Sequence, residues 1–169
     1  MWAMADDFIS SQGRAFLAHR LRRSSDLIVE QIGGELQRMG LAVPPRGASM
    51  LLLVDEAAPI GVVEISRRLR LSHPLIVRMA QQFQALGLVG IDKDPEDARR
   101  KRLAPTEKGR AEAKALRDFN GRLETMFGRL FDEIDCDVVA MLDRLQAALG
   151  KSPAAARLSA QNPEDRDED

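Results

Sequence analysis

The interval from Val62 to Gly109 constrains this 169-residue chain more than any other. It opens with a short amphipathic helix, Val62 to Leu69, in which Val62, Ile65 and Leu69 share a face while Arg67, Arg68 and Arg70 turn to solvent or phosphate. Leu71-Ser72 is the turn. The Ser72 hydroxyl suits a helix N-cap, and Pro74 falls in the first turn, where a missing N–H costs no intrahelical bond. Ile76, Met79, Ala80 and Phe83 then form one buried stripe, and the helix runs to Leu86 before stopping at Gly87. A short apolar strand, Leu88 to Ile91, leads into DPEDARRKRLAPTEKG, Asp94 to Gly109. This stretch reads as a hairpin opened by Asp94-Pro95, with Arg99, Arg100, Lys101 and Arg102 at its tip.

A basic hairpin by itself is commonly a solvated sheet edge. Here it follows two helices separated by a tight turn, and helix, turn, helix, basic hairpin is the order of a winged helix-turn-helix. In that fold the second helix enters the major groove of DNA by its N-terminal half. Ser72, His73, Leu75, Arg78 and Gln82 are then the candidates for contact, with Arg78 suited to guanine or phosphate, Gln82 to adenine and Leu75 to a thymine methyl. Arg67 and Arg68 are candidates for phosphate, and a cationic hairpin tip fits the minor groove.

The flanks read as helix. Leu17, Leu21, Ile28, Ile32, Leu36 and Met39 recur at helical spacing and predict a helix from Gln12 to Met39, with a bend or weakened turn at Gly33-Gly34. Pro44-Pro45 and Gly47 mark a stop and restart, so the next helix is expected over Pro45 to Val54, and Ala57 to Gly61 is a break. Leu116, Phe119, Leu123, Met126 and Leu130 form one long apolar seam, and Val138, Leu142, Leu145 and Leu149 form another. A small winged helix cannot cover both, so they need each other, the first helix or a second subunit. From about Lys151 the chain turns rich in Ala, Ser, Pro and acid, and disorder is expected. Such an acidic tail is either a solubilising end or a competitor with DNA for the basic surface.

The formal net charge of -1 hides an asymmetry: Val62 to Arg117 carries 13 Lys plus Arg against 7 Asp plus Glu, and the rest 12 against 19. The positive charge is local, as duplex binding requires. Two separated histidines, one Cys and no Gly-rich phosphate loop leave nothing from which to assemble an enzyme, a metal site or a cofactor site. Cys136 stands beside Glu133, Asp135 and Asp137, which oppose thiolate formation, and reads as structural. No apolar run approaches the ~20 residues that span a bilayer, and the N-terminus lacks the basic flank and apolar core of a signal peptide. A cytoplasmic protein without membrane partners is expected.

In order and residues the chain resembles the MarR family of bacterial transcriptional regulators from its first helix to about Leu149. The family's recognition helix is matched by Ser72, Val77-Arg78, Phe83 and Gly87-Leu88-Val89, and its wing by Asp97-Ala98-Arg99 and Thr106-Glu107-Lys108-Gly109. Pro105 departs from the family's usual Leu, and Pro74, Leu75 and Val77 replace hydroxyl residues. The resemblance implies that Arg99 reaches into the minor groove, braced by Asp97, with Arg100, Lys101 and Arg102 on phosphates. It also implies a mostly α fold with a small β-hairpin wing, and a homodimer held by its N- and C-terminal helices. Residues 1–43 and 107–150 would then form the dimerisation lobe, 44–106 the DNA-binding lobe (helix-turn-helix 62–87, wing 88–105), and 151–169 the tail. The implied function is a repressor on a pseudo-palindromic operator, modulated by a small aromatic or anionic effector. His19, Arg20 and Arg23 are candidates for attracting an anion. The rival reading is a winged helix that binds protein without specific DNA binding; salt dependence separates the two.

Overall fold

Apolar spacing places most of the helices. In the computed structural model, which describes residues 7–93 and 101–160, the chain opens with α1 (Phe8–Ser11) and a 3₁₀ turn at Gly13–Phe16 before the long α2 (Leu17–Arg38). The helix expected to start at Gln12 therefore starts five residues later. Gly13, with φ +59, takes a left-handed conformation that breaks the helical path. The expected bend at Gly33-Gly34 is not a break either, because α2 runs through both. Gly33 instead serves packing: a Cβ there would lie 3.1 Å from Pro45 Cγ.

The second helix enters through a 3₁₀ turn, Pro45–Gly47, and becomes α3 over Ala48–Ala57, three residues beyond the expected end. It stops where Ala58 becomes extended before Pro59, as a residue preceding proline must. Ile60–Gly61, expected to be a break, is β1. α4 (Val62–Leu69) and α5 (His73–Ala85) follow, then β2 (Val89–Lys93) and β3 (Lys101–Pro105). The strands make an antiparallel sheet in the order β1-β3-β2, with Ile60 opposite Leu103 and Val89 opposite Pro105. The expected hairpin is thus two strands of a three-stranded sheet.

The remaining helices are α6 (Glu107–Glu133), α7 (Val138–Lys151) and α8 (Ala154–Ser159). The last corrects the expectation of disorder from Lys151. Arg157 explains part of it, donating to the carbonyls of Ser152 and Ala148 at 2.8 Å each and so satisfying the C-terminal end of α7.

Two compact units divide the chain within α6, after Asp118. In the first, Leu36, Met50, Leu51, Ile65, Phe83 and Leu103 are all but inaccessible and define the core. Ile76, Met79, Ala80 and Phe83 are the buried residues of α5, as their spacing predicts. In the second unit, Phe127 and Phe131 stack at 5.9 Å between centroids, while Met126, Leu130, Ile134, Val139, Met141 and Leu149 stay exposed. No helix among the described residues is long and apolar enough to cross a membrane.

Candidate nucleic-acid interface

α4 and α5 are joined by a turn that the backbone closes twice. Leu71 N–H donates to the Ser66 carbonyl at 3.1 Å, and the Ser66 hydroxyl donates to the Leu71 carbonyl at 2.5 Å. Between them Arg70 adopts φ 53, ψ 39, in the left-handed region. Ser72 occupies the N-cap position of α5 with extended dihedrals, and its carbonyl accepts Ile76 N–H at 3.1 Å. Its hydroxyl makes no capping bond, contrary to expectation. Pro74 in the first turn already removes one amide that would need capping, and the exposed Ser72 hydroxyl faces outward instead.

Burying the apolar stripe of α5 leaves a polar face outside. His73, Arg78, Gln81 and Gln82 are exposed and Leu75 is half-buried. Among the described residues no carboxylate pairs with Arg78. Arg67 and Arg68 differ. Arg67 grips Glu64 through two bonds of 2.9 and 2.6 Å, and Arg68 reaches Glu56 on α3 at 3.0 Å. The Arg67 bond holds the Glu64 carboxyl below its usual range and raises Arg67 in turn. The Glu64–Arg67 pair is visible in the three-residue spacing. The Glu56–Arg68 pair crosses two helices and is not.

The wing is fastened at its base. Thr106 precedes α6, and its Oγ1 accepts Gly109 N–H at 3.0 Å, an N-cap, while donating to the Gly87 carbonyl at 2.6 Å. Lys108 Nζ donates to the Leu86 carbonyl at 2.9 Å. Gly109 sits so close to β2 that a Cβ would fall 1.9 Å from the Leu88 carbonyl oxygen. Thr106, Lys108 and Gly109 therefore tie the end of α5 and the start of α6 to the sheet. Pro105 pairs with Val89 at the buried end of β3. Lys101 and Arg102 lie on β3, Arg102 opposite both Asp92 and Gly61. Asp97, Arg99 and Arg100 lie outside the described residues.

His19, Arg20 and Arg23 belong to α2, not to this surface. Arg20 donates to the Ser10 carbonyl at 3.0 Å and Arg23 to the Asp7 carboxylate at 2.5 Å, so both fasten the N-terminal turn. The Ser10 hydroxyl and then Arg23 lower the Asp7 pKa to about 2. His19 is exposed. Cys136 is half-buried and directly precedes Asp137, whose carboxylate caps α7 by accepting Ala140 N–H at 2.9 Å. Among the described residues no cluster of His, Cys, Asp or Glu is arranged to hold a metal ion.

Compared with known proteins, the chain matches no protein-family model and no curated sequence. Solved structures match over most of its length. MepR of S. aureus, in complex with DNA, is 17% identical with a TM-score of 0.64, covering 78% of this chain and 97% of its own. A MarR transcriptional regulator from Methanosarcina mazei Go1 is 18% identical with a TM-score of 0.59, over 80% and 99%. CouR from Rhodococcus jostii RHA1, bound to p-coumaroyl-CoA, is 24% identical with a TM-score of 0.54, over 91% and 98%. These likenesses establish architecture, and the architecture agrees with the helix, turn, helix and three-stranded sheet described above: this chain has the winged helix-turn-helix fold of the MarR transcriptional regulators.

Proposed function

We propose that this chain is a sequence-specific duplex-DNA-binding transcriptional regulator rather than an enzyme. The observation that carries the proposal is the outer face of α5, where Ser72, His73, Arg78, Gln81 and Gln82 stand exposed on a helix whose opposite face is locked into the core. Such a face suits base edges in the major groove, and Lys101 and Arg102 on β3, with Arg99 and Arg100 beyond it, suit the flanking groove and phosphates. The DNA complex of MepR, which shares this fold, supports the reading.

The rest of the proposal concerns assembly and control. Residues 44–106 act on DNA, and residues 1–43 and 107–150 join two copies across a two-fold axis. Exposed Leu17, Leu21, Leu27 and Ile28 on α2, with Met126 and Leu130 on α6, supply apolar surface for that purpose. A two-fold dimer sets its recognition helices about 34 Å apart and requires a pseudo-palindromic operator. Repression follows from occupying a promoter. A small aromatic or anionic effector modulates it by favouring one spacing of the two helices over another; the acyl-CoA ligand of CouR supports this part.

Fluorescence anisotropy with duplexes from the gene's own upstream region tests the proposal. Affinity should fall steeply as salt rises from 50 to 200 mM, by ~10³-fold or more for six or more phosphate contacts. Arg99→Ala should weaken binding by roughly 10- to 100-fold, the worth of a charged hydrogen bond. Absence of binding at low salt, or indifference to Arg99, would leave a protein-binding winged helix as the better account.

A further inference from the structure

Four of the described helices end in the same hydrogen-bonded pattern. After α2, Leu41 N–H reaches the Leu36 carbonyl and Gly40 N–H that of Gln37; after α4, Leu71 reaches Ser66 and Arg70 reaches Arg67. After α5, Leu88 reaches Phe83 and Gly87 reaches Gln84; after α6, Cys136 reaches Phe131 and Asp135 reaches Asp132. This closure places one residue in the left-handed region each time. The four are Gly40 at φ 72, Arg70 at 53, Gly87 at 70 and Asp135 at 49. Glycine enters that region without steric cost, and a short polar side chain such as Asp is tolerated there. Arginine has neither advantage. The single helix end with a long side chain at the strained position is the one inside the helix-turn-helix.

What Arg70 gives the fold in return is not visible. Its neighbours Arg67 and Arg68 are held by Glu64 and Glu56, whereas the exposed Arg70 side chain makes no hydrogen bond or ion pair among the described residues. A non-glycine residue kept in the left-handed region without local compensation points to a role outside the fold. Arg70 lies two residues before Ser72, the N-cap of α5. When the N-terminal end of a recognition helix sits in the major groove, the preceding turn comes up against the phosphates bordering it.

We propose that Arg70 is a phosphate-binding residue of the DNA interface and the cation that seats the helix-turn-helix on the backbone, with Arg67 and Arg68 committed instead to holding α4 against Glu64 and α3. This inference rests on the DNA-binding reading above. The contact is to phosphate, so it strengthens binding to any duplex and selects no base.

The test compares full-length wild type, Arg70→Gly and Arg70→Lys on two probes, a duplex from the gene's upstream region and an unrelated duplex of equal length. Arg70→Gly relieves the backbone, so its thermal midpoint should rise. Its affinity for both duplexes should fall about tenfold, as loss of a charged hydrogen bond predicts. The plot of log affinity against log salt should flatten by about 0.9 for each contact removed, hence about 1.8 for a two-fold dimer. Arg70→Lys should restore most of the affinity and the slope. Wild-type affinity and slope in Arg70→Gly would overturn the inference, as would a loss confined to the upstream duplex, or a lowered midpoint. If wild type itself bound neither duplex in a salt-dependent way, the failure would lie in the DNA-binding reading.

Discussion

Glu112 shows how much one side chain can settle. It is 6% exposed, and one carboxylate oxygen accepts the backbone N–H groups of Ala42 and Val43 at 3.0 and 2.9 Å, with Lys108 Nζ 4.0 Å from the other. A carboxylate can remain buried because it satisfies two amides that no helix or strand partners. Glu112→Ala strands both amides and should destabilise by roughly 2–4 kcal/mol, whereas Glu112→Gln keeps an acceptor and should lose only about 1 kcal/mol. In urea unfolding the midpoint should move in that order with the slope unchanged; equal midpoints for all three proteins would contradict the role given to Glu112. Nothing in the sequence points to this residue. Its partners lie some seventy positions away along the chain, and a Glu on a helix reads as solvated surface until the loop at Ala42-Val43 folds over it.

Among the elements, α4 and α5 were legible nearly to the residue, since Val62, Ile65 and Leu69, then Ile76, Met79, Ala80 and Phe83, repeat with a helical period between recognisable stops. β1 was not, because a two-residue strand has no period and exists only through its pairing with Leu103 and Arg102. The onset of α2 and the helix α8 were misjudged for local reasons, the left-handed Gly13 and the bonds from Arg157 to the end of α7. Of the candidate contact residues, those on α5 stand where their spacing places them, while the carboxylate partners of Arg67 and Arg68 divide two expected phosphate ligands from Arg78. The Thr106 to Gly109 motif, matched by resemblance alone, acquires a physical reason in the junction between β2, β3 and α6. A methyl group on Gly109 would meet the Leu88 carbonyl oxygen at 1.9 Å. That oxygen already accepts Thr106 N–H at 3.0 Å. Gly109→Ala should therefore cost about 3 kcal/mol or more. Thermal unfolding is the check, and a midpoint within a degree of wild type would show that the junction yields.

For the whole molecule the decisive property is the separation of charge and apolar surface along the chain. The balance of +6 between Val62 and Arg117 offsets -7 elsewhere, so attraction to a polyanion is local and the rest of the surface repels it. The recognition face of α5 lies inside the positive interval, and most of the exposed large apolar residues lie outside it, on α2, α6 and α7. A molecule divided in this way is suited to meeting its own copy with one part and DNA with the other. That central claim is tested most directly by a footprint of the purified protein on the DNA upstream of its own gene. The account predicts one protected region with two inverted half-sites centred one helical turn apart, about 10 base pairs, lost when Arg99 is replaced by Ala. Uniform protection without a boundary, or none at low salt, would contradict it.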